Sequence, residues 1–266
     1  MKQTLLILTI LISSNLYSQN QSFFKSTRII NTHSVNTLPE GQMDFRMNHR
    51  FGEIKGGLNE LFGLDYASTS FSLDYTASKN ILIGLRRSSF EKTYELYSKY
   101  NLIEQTNDKA FSVSLFFDLS YKSQKVNNTS FKYKESYRYD YLYQILLAKE
   151  ISNIYIQLSP TLVHYNLVKT KQEVNNLFAI GLGIEYNITK RISAVAEYTK
   201  RIWKDQRRTY DPISIGINYE TYNHSFQLIV TNSIQMSEKG VIGQTFGNIT
   251  KGELYFGFNM SKKITL

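Results

Sequence analysis

The feature that most constrains the fold is a strict alternation of large apolar side chains with small or polar ones. It is clearest over residues 177–198, where a polar break at residues 187–191 separates two alternating runs. Side chains of a β-strand point alternately to its two faces, so this stretch predicts a β-hairpin with one apolar face and one small or polar face. The large apolar side chains of its first strand are Phe178, Ile180, Leu182, Ile184 and Tyr186.

The same unit recurs along the chain and predicts about twelve strands. Short and long connections largely alternate between them, which is typical of the periplasmic turns and extracellular loops of a membrane barrel. Residues 87–92 are shorter and residues 101–109 are longer than this order requires. A membrane protein built from strands must be a closed barrel, because every backbone hydrogen bond needs a partner in lipid. We therefore predict an all-β fold, a single transmembrane antiparallel β-barrel over residues 42–266.

The first 18 residues have the pattern of a signal peptide. Lys2 gives a positive start, residues 5–12 form an apolar core, and residues 13–18 are mostly small and polar. The core is far shorter than the roughly 20 apolar residues of a spanning helix. Residues 19–41 then form either a periplasmic lead or a plug segment ahead of the barrel. An exported barrel of this kind is expected in the outer membrane of a Gram-negative bacterium.

Alternation alone does not tell which face of the strands points outward. A soluble periplasmic β-protein, such as a lipocalin-like barrel or a β-sandwich, has the same period with its apolar face inward. Tyrosines at the strand ends favour the membrane arrangement, because aromatic side chains form girdles at the membrane interfaces. On this interpretation the following charged residues line the lumen: Asp44, Arg46, Arg50, Asp74, Asp118, Glu185, Glu197 and Glu253.

These luminal charges have two interpretations. They line a passage in which Arg46 and Arg50 attract anions, or they pair with one another and fill the barrel. The second interpretation is preferred, because an unpaired buried charge is costly. Arg28 and His33 are expected to make polar contacts with the barrel if the segment before the first strand is a plug. The alternative is a tail that only covers the periplasmic base of the barrel.

The composition argues against several kinds of chemistry. The chain has no Cys, which excludes disulfides, Cys-ligated zinc and thiol catalysis. Its 4 His are scattered, and it lacks a G-x-S-x-G elbow, a P-loop and a dinucleotide fingerprint. We therefore predict no enzyme activity, no cofactor and no metal. The basic stretch over residues 200–211 is expected to be a solvated loop, and as a binding surface in an exported protein it suits anionic lipopolysaccharide better than nucleic acid. The sequence does not identify a protein partner.

Several short motifs are spread over nearly the whole mature chain. They are residues 26–35 (STRIINTHSV), 38–41 (LPEG), 49–52 (HRFG), 56–65 (GGLNELFGLD), 157–161 (QLSPT) and 253–259 (ELYFGFN). With these motifs the chain resembles an uncharacterised family of outer-membrane β-barrels from Bacteroidota, the domain of unknown function 5777. The first four motifs are the most specific. The resemblance implies an outer-membrane location and a single barrel, and it adds no substrate.

The expected function of such a barrel is a channel or transporter for small solutes, with passive or ligand-gated passage through the lumen. A non-conducting structural or partner-binding barrel is the first alternative. An outer-membrane lipid hydrolase is the second. A lumen wide enough for a small solute favours the channel, whereas a packed lumen favours the structural barrel.

Overall fold

The computed structural model describes residues 26–125, 133–168, 170–202 and 208–265, and its twelve strands form one closed antiparallel barrel. Each strand pairs with its neighbours in sequence, and the first pairs with the last. This confirms the predicted fold class and strand number. The strands are β1 (Gln42–Glu53), β2 (Ala67–Ser78), β3 (Ile81–Ser88), β4 (Thr93–Ile103), β5 (Ser112–Lys122), β6 (Tyr139–Ile151), β7 (Ile154–Tyr165), β8 (Asn176–Asn187), β9 (Ile192–Arg201), β10 (Ile213–Glu220), β11 (His224–Thr231) and β12 (Tyr255–Thr265).

The two faces of the barrel have opposite chemistry. Large apolar side chains point outward, and Ile217 and Leu228 at the middle of β10 and β11 are 58% and 71% exposed. The alternate positions point inward and are mostly polar, as at Ser70 and Asp74 of β2, which are buried. A soluble barrel would have the reverse arrangement. The apolar face therefore meets lipid, as the membrane interpretation predicts.

Strand pairing is continuous around most of the barrel. At the closing seam, β1 and β12 pair without a break from Gln42 opposite Thr265 to Arg50 opposite Gly257. Between β6 and β7 the pairing stops at Gln144 opposite Thr161 and resumes at Leu147 opposite Leu158, so two successive pairs are skipped. Pro160 lies in this gap and has no N–H to donate.

Short and long connections fall on opposite ends of the barrel. The short turns are residues 79–80, 152–153, 188–191 and 221–223, and the long loops are residues 54–66, 123–138, 166–175, 202–212 and 232–254. The two predicted exceptions hold, because residues 89–92 are short on the long-loop end and residues 104–111 are long on the other. The long-loop end is the extracellular end by the general rule for such barrels.

Helical structure in the described ranges is confined to connections. The 3-10 helices are Ile54–Gly63, Phe90–Lys92, Glu135–Arg138 and Ile249–Lys251, and the single α-helix among the described residues, α1, is Glu238–Gly243. None of these helices is long and apolar enough to cross a membrane. The first 25 residues lie outside the described ranges, so the signal peptide stays a prediction.

A charge on the outer face at mid-strand should destabilise the barrel. We expect Leu228→Arg to destabilise the barrel by about 2–4 kcal/mol, because an arginine near the bilayer midplane loses its hydration. Tyr222→Arg is the matched control, since Tyr222 is 95% exposed on the turn between β10 and β11. Urea titration in lipid vesicles, followed by heat-modifiable gel migration, measures both. Equal stability of the two variants would contradict the lipid-facing assignment.

Candidate functional site: a hairpin inside the lumen

Residues 26–38 lie inside the barrel, where their first ten residues are almost entirely buried by the wall. Arg28 and His33 form an antiparallel bridge, and the turn between them closes with the N–H of Ile29 donating to the carbonyl of Thr32 at 2.9 Å. We call residues 26–38 the luminal hairpin. The chain then leaves toward the periplasmic end of the barrel, because Gly41 donates its N–H to the carbonyl of Thr76 near the end of β2.

The carboxylate of Glu197, on β9, holds the tip of the luminal hairpin. Its two oxygens accept the backbone N–H groups of Ile30 at 2.7 Å, Asn31 at 3.0 Å and Thr32 at 3.0 Å. The hydroxyl of Thr32 donates to the same carboxylate at 2.6 Å. Successive backbone N–H groups that converge on one point form a concave anion site. Hydrogen bonds to an ionised acceptor are stronger than neutral ones, so this contact anchors the tip to the wall.

Side chains of β1 and β11, on both sides of the closing seam, also bind the tip of the hairpin. Arg50 of β1 donates to the side-chain oxygen of Asn31 at 2.9 Å and to Asn259 of β12 at 2.8 Å. Gln227 of β11 donates to the carbonyl of Ile29 at 2.7 Å. The wall also makes room for the tip, since a Cβ atom at Gly183 would collide with Cδ1 of Ile29. Gly183 of β8 is therefore a point where the hairpin packs closely against the wall.

An ion pair on β2 and an aromatic ring on β4 fix the base of the hairpin. Arg28 lies 3.3 Å from Asp74 and donates to the hydroxyl of Tyr97 at 2.8 Å, and the Tyr97 hydroxyl in turn donates to Asp74. The hydroxyl of Thr27 also donates to Asp74, at 3.1 Å. All these groups are buried. Removing one partner would leave an uncompensated charge, so this pair fixes the position of the segment.

The return strand of the hairpin is bound mainly through its backbone. Gln157 of β7 donates to the carbonyl of His33 at 2.8 Å and accepts the N–H of Val35 at 2.9 Å. Lys99 of β4 donates to the carbonyl of Ser34 at 2.7 Å. The ring of His33 packs against Phe116, with centroids 4.1 Å apart. Burial and then the nearby cations lower the pKa of His33 well below its ordinary value, so its ring is neutral.

A second element closes the lumen from the extracellular side. Helix α1, in the loop between β11 and β12, is buried along its whole length. Lys239 lies 2.7 Å from Asp140 of β6, and the hydroxyl of Tyr165 donates to the backbone carbonyl of Lys239 at 2.8 Å. The two closing elements meet at one hydrogen bond, in which the backbone N–H of His33 donates to Glu238 at 2.6 Å.

The residues predicted to line the lumen fall into three groups. Asp74, Arg50 and Glu197 contact the luminal hairpin directly, as does Arg46 through the hydroxyl of Ser26. Asp44, Asp118 and Glu185 are buried on the inner face away from it, and Asp118 accepts a hydrogen bond from Ser120 at 2.6 Å. Arg28 and His33 lie on the hairpin itself. The expected pairing of luminal charges is therefore mediated largely by the hairpin.

Glu253 does not lie on the inner face of a strand, contrary to the prediction. The last strand, β12, begins only at Tyr255, and Gly252 turns the chain with a left-handed φ of 72° just before it. The carboxylate of Glu253 accepts the backbone N–H of Asn248 at 2.7 Å and closes the end of the loop. Its charge therefore belongs to the extracellular loop.

Sequence reasoning also missed several luminal groups. Arg86 of β3 forms a buried ion pair at 2.8 Å with Glu95 of β4, whose position on the polar face the alternation does predict, and Lys99 is fully buried. The inward-facing positions of Arg86 and Lys99 in the alternating pattern were visible in the sequence and could have identified them. Glu238 and Lys239 carried no such signal, since they lie in a long loop without alternation.

The family model for a membrane-bound β-barrel domain, the domain of unknown function 5777, matches residues 24–263. The chain belongs to this family. The family description agrees with the predicted location in the outer membrane of a Gram-negative bacterium, and Bacteroidota as the source stays a prediction. A search of curated proteins found no match.

Solved structures with the same fold include several outer-membrane barrels. The NanC porin aligns over 84% of this chain and 100% of its own, with a TM-score of 0.54 and 9% identity. The KdgM porin in complex with disordered oligogalacturonate aligns over 83% and 98%, with a TM-score of 0.51 and 10% identity. The outer membrane phospholipase A from Escherichia coli aligns over 83% and 89%, with a TM-score of 0.46 and 12% identity. At these identities the two porins show the fold alone, and the phospholipase alignment carries no argument at its TM-score.

In this member of the membrane-bound β-barrel domain family, Glu197→Ala should loosen the luminal hairpin. The chain has no Cys, so Ser34→Cys, at a buried position, reports exposure of the hairpin to a thiol reagent. We expect Glu197→Ala to raise the labelling rate by about tenfold or more, because three N–H groups lose a charged acceptor. Glu185→Ala is the matched control, since its contacts are to Ser193 and Asn218 of the wall. Equal labelling rates in the two variants would show that Glu197 does not hold the hairpin.

Proposed function

We propose that this protein is an outer-membrane channel for small solutes and that the structure is its closed state. The observation that carries the proposal is the luminal hairpin, which fills the barrel and yet is bound mainly by polar groups. Wall side chains such as Glu197, Gln157 and Gln227 hold it by hydrogen bonds to its backbone. Water can replace such bonds when the hairpin leaves, and a polar lumen is the usual property of barrels that conduct.

Deleting residues 26–36 and replacing helix α1 with a Gly-Ser linker of equal length should open the channel. We expect the full chain to be predominantly closed in a planar bilayer and the shortened chain to give steady ion conductance, because these changes remove both elements that close the lumen. Arg50→Ala in the shortened chain should reduce any preference for anions, since Arg50 then faces the passage. Heat-modifiable gel migration verifies that each variant is folded. A folded deletion variant without conductance at any voltage would contradict the proposal.

Rising pH should favour the open state. Burial, partly offset by the His33 N–H and Arg28, raises the pKa of Glu238 to about 8 from an ordinary value of 4.5. The pKa of this carboxyl group is higher in the closed state than in the open state. Its protonated form therefore stabilises the closed state. The preference for closure is therefore full below about pH 4.5 and is lost progressively as the pH rises to about 8. The other ionisable groups around Glu238 are Arg28, His33, Glu95, Lys99, Asp118, Glu197 and Lys239.

The test is a series of conductance measurements from about pH 5 to about pH 8.5, the interval over which the preference for closure should be lost. The open fraction should rise with pH in the full chain. Glu238→Gln keeps an oxygen acceptor for His33 and cannot ionise, so it should flatten the part of the response that Glu238 causes. An open fraction that falls with rising pH, or an unchanged slope in Glu238→Gln, would contradict this assignment.

A non-conducting barrel is the second candidate, and one specific observation favours it. Part of the inner wall is apolar, with Leu142 and Leu146 of β6 and Val163 of β7 buried in one cluster with Ile29 and Ile242. Burial of these side chains stabilises the closed state through the hydrophobic effect. Absence of conductance in every folded variant would favour this structural role.

A lipid hydrolase is the third candidate, and we propose that the protein is not an enzyme. The outer face has one histidine in a polar cluster, His164, whose ring nitrogens lie 2.6 Å from Asn176 and 3.1 Å from Asn166. A hydrolase of the Ser–His type needs a hydroxyl at one of these nitrogens. Both ring nitrogens of His164 instead face asparagine side chains. Release of fatty acid from labelled phospholipid by the purified barrel would overturn this proposal.

Lipopolysaccharide is the proposed partner of the extracellular loop between β9 and β10. Of its predicted basic residues, Lys200 and Arg201 lie 2.7 Å and 3.2 Å from Asp211, and Arg208 is exposed. Arg207 and Trp203 fall outside the described residues. Pairing with Asp211 reduces the positive charge of this loop, so attraction to anionic lipid depends mainly on the remaining arginines.

A further inference from the structure

Backbone pairing in the wall is interrupted around Pro160, at the centre of β7. The pairing of β6 with β7 skips two successive residue pairs there, whereas the pairing of β7 with β8 continues through Pro160 opposite Ile180. Proline lacks the N–H that a central strand needs and is ordinarily confined to edges and bulges. Pro160 also lies in the QLSPT motif over residues 157–161, which the closed channel leaves unexplained.

An apolar groove lies on the outer face at the same place. It has a volume of about 640 Å³, which is in the range of small-molecule sites. Its sides are lipid-facing residues of β4 to β8, namely Tyr100, Leu115, Tyr143, Ile145, Phe178 and Ile180. Its floor includes four residues whose positions point to the lumen, Phe116, Gln144, Thr161 and Ala179. The groove therefore lies directly over the part of the wall that carries these four residues.

The inner face behind this groove is the apolar part of the lumen. Phe116, Ala179 and Leu146 belong to the buried cluster that also contains Ile29 and Val35 of the luminal hairpin. When the hairpin leaves, this apolar wall loses its cover. Elsewhere the side chains that hold the hairpin are polar or charged, as at Glu197 and Gln227. The lumen thus has one apolar side and one polar side. This combination matches a molecule with a polar end and an apolar chain.

One polar atom at the gap has no partner. Gln144 is 4% exposed, and its amide nitrogen donates to the hydroxyl of Thr161 at 2.8 Å. Its side-chain oxygen is buried without a hydrogen-bond partner. A buried acceptor left unpaired is costly. A ligand hydroxyl or protonated carboxyl at this point would satisfy it.

We infer that the wall around Pro160 is a binding site for the hydrocarbon chain of a single-chain amphiphile, such as a long-chain fatty acid. The chain lies in the outer groove, and its polar end reaches the side-chain oxygen of Gln144 through the gap between β6 and β7. The inference names the solute class of the proposed channel and rests on that proposal only for the route by which the solute reaches the lumen. The gap then lets the chain pass sideways between the lumen and the membrane.

Photo-crosslinking locates the site directly. The full-length barrel in lipid nanodiscs is irradiated with a diazirine-bearing long-chain fatty acid, and the labelled peptides are mapped. We expect labels to concentrate on β6 to β8 and to fall at least fivefold in Pro160→Val, because valine restores the missing N–H and suits a strand. Ile217→Val, on the lipid face of β10, is the matched control and should label like the unmodified chain.

Two results would overturn the inference. One is labelling spread evenly over the twelve strands, or equal in Pro160→Val and the unmodified chain. The other is stronger labelling of this groove by a diacyl phospholipid probe than by the fatty acid, which would make it a site for membrane lipid only. Heat-modifiable migration identifies any variant that fails to fold, and Gln144→Leu then provides an independent test, with a loss of labelling expected.

A disulfide lock tests whether the gap itself admits the chain. Leu147→Cys with Leu158→Cys joins directly opposed residues beside the gap and outside the groove, at a separation suited to a disulfide. Oxidation should lower the labelling and reduction should restore it. Ile184→Cys with Ala196→Cys, on the continuous pairing of β8 with β9, should show no response. Labelling does not depend on conductance, so loss of the channel proposal and loss of this site are distinguishable.

Discussion

The rest of the structure depends on the requirement that backbone N–H and C=O groups be paired wherever the chain meets lipid. In hydrocarbon an unpaired peptide group costs several kcal/mol, so a sheet in a membrane must close on itself. Here closure is achieved by β1 against β12, in register over nine successive pairs. Once the barrel is closed, the alternation along each strand assigns every strand residue to the lipid or to the lumen. A polar interior follows, and the polar interior in turn holds a polar segment of the chain.

The alternation of side chains between the two faces of a strand explains how much of this architecture was predictable. A strand residue such as Ile217 or Asp74 shows its side of the wall in the sequence, because its neighbours alternate. Number, order and orientation of the strands follow from that alternation together with the lengths of the connections. Glu253 escaped this logic because the left-handed Gly252 delays the start of β12. A period of two carries no information once the chain leaves the strand.

Sequence reasoning left the place of the luminal hairpin open between a plug and a periplasmic lead, and it did not predict α1, for a different reason. Their positions depend on contacts between residues far apart in the chain, such as Glu197 with Asn31 and Asp140 with Lys239. Neither segment has a period that sets it apart from an ordinary loop. Arg28 and His33 were expected to be polar contacts, but only the structure places the ring of His33 among aromatic side chains. Charge pairing in the lumen is therefore a property of the fold and is invisible in any one segment.

The position of the hairpin tip on the seam has a consequence for the closed wall. Arg50 of β1 donates to Asn259 of β12 and also to Asn31, and Asn259 donates to the carbonyl of Ile30 at 3.3 Å. The tip thus bridges the first and last strands, which are the two that come together only when the sheet becomes a cylinder. The hairpin tip is a common partner of these two strands, so the segment that blocks the lumen also ties the wall together where the cylinder closes.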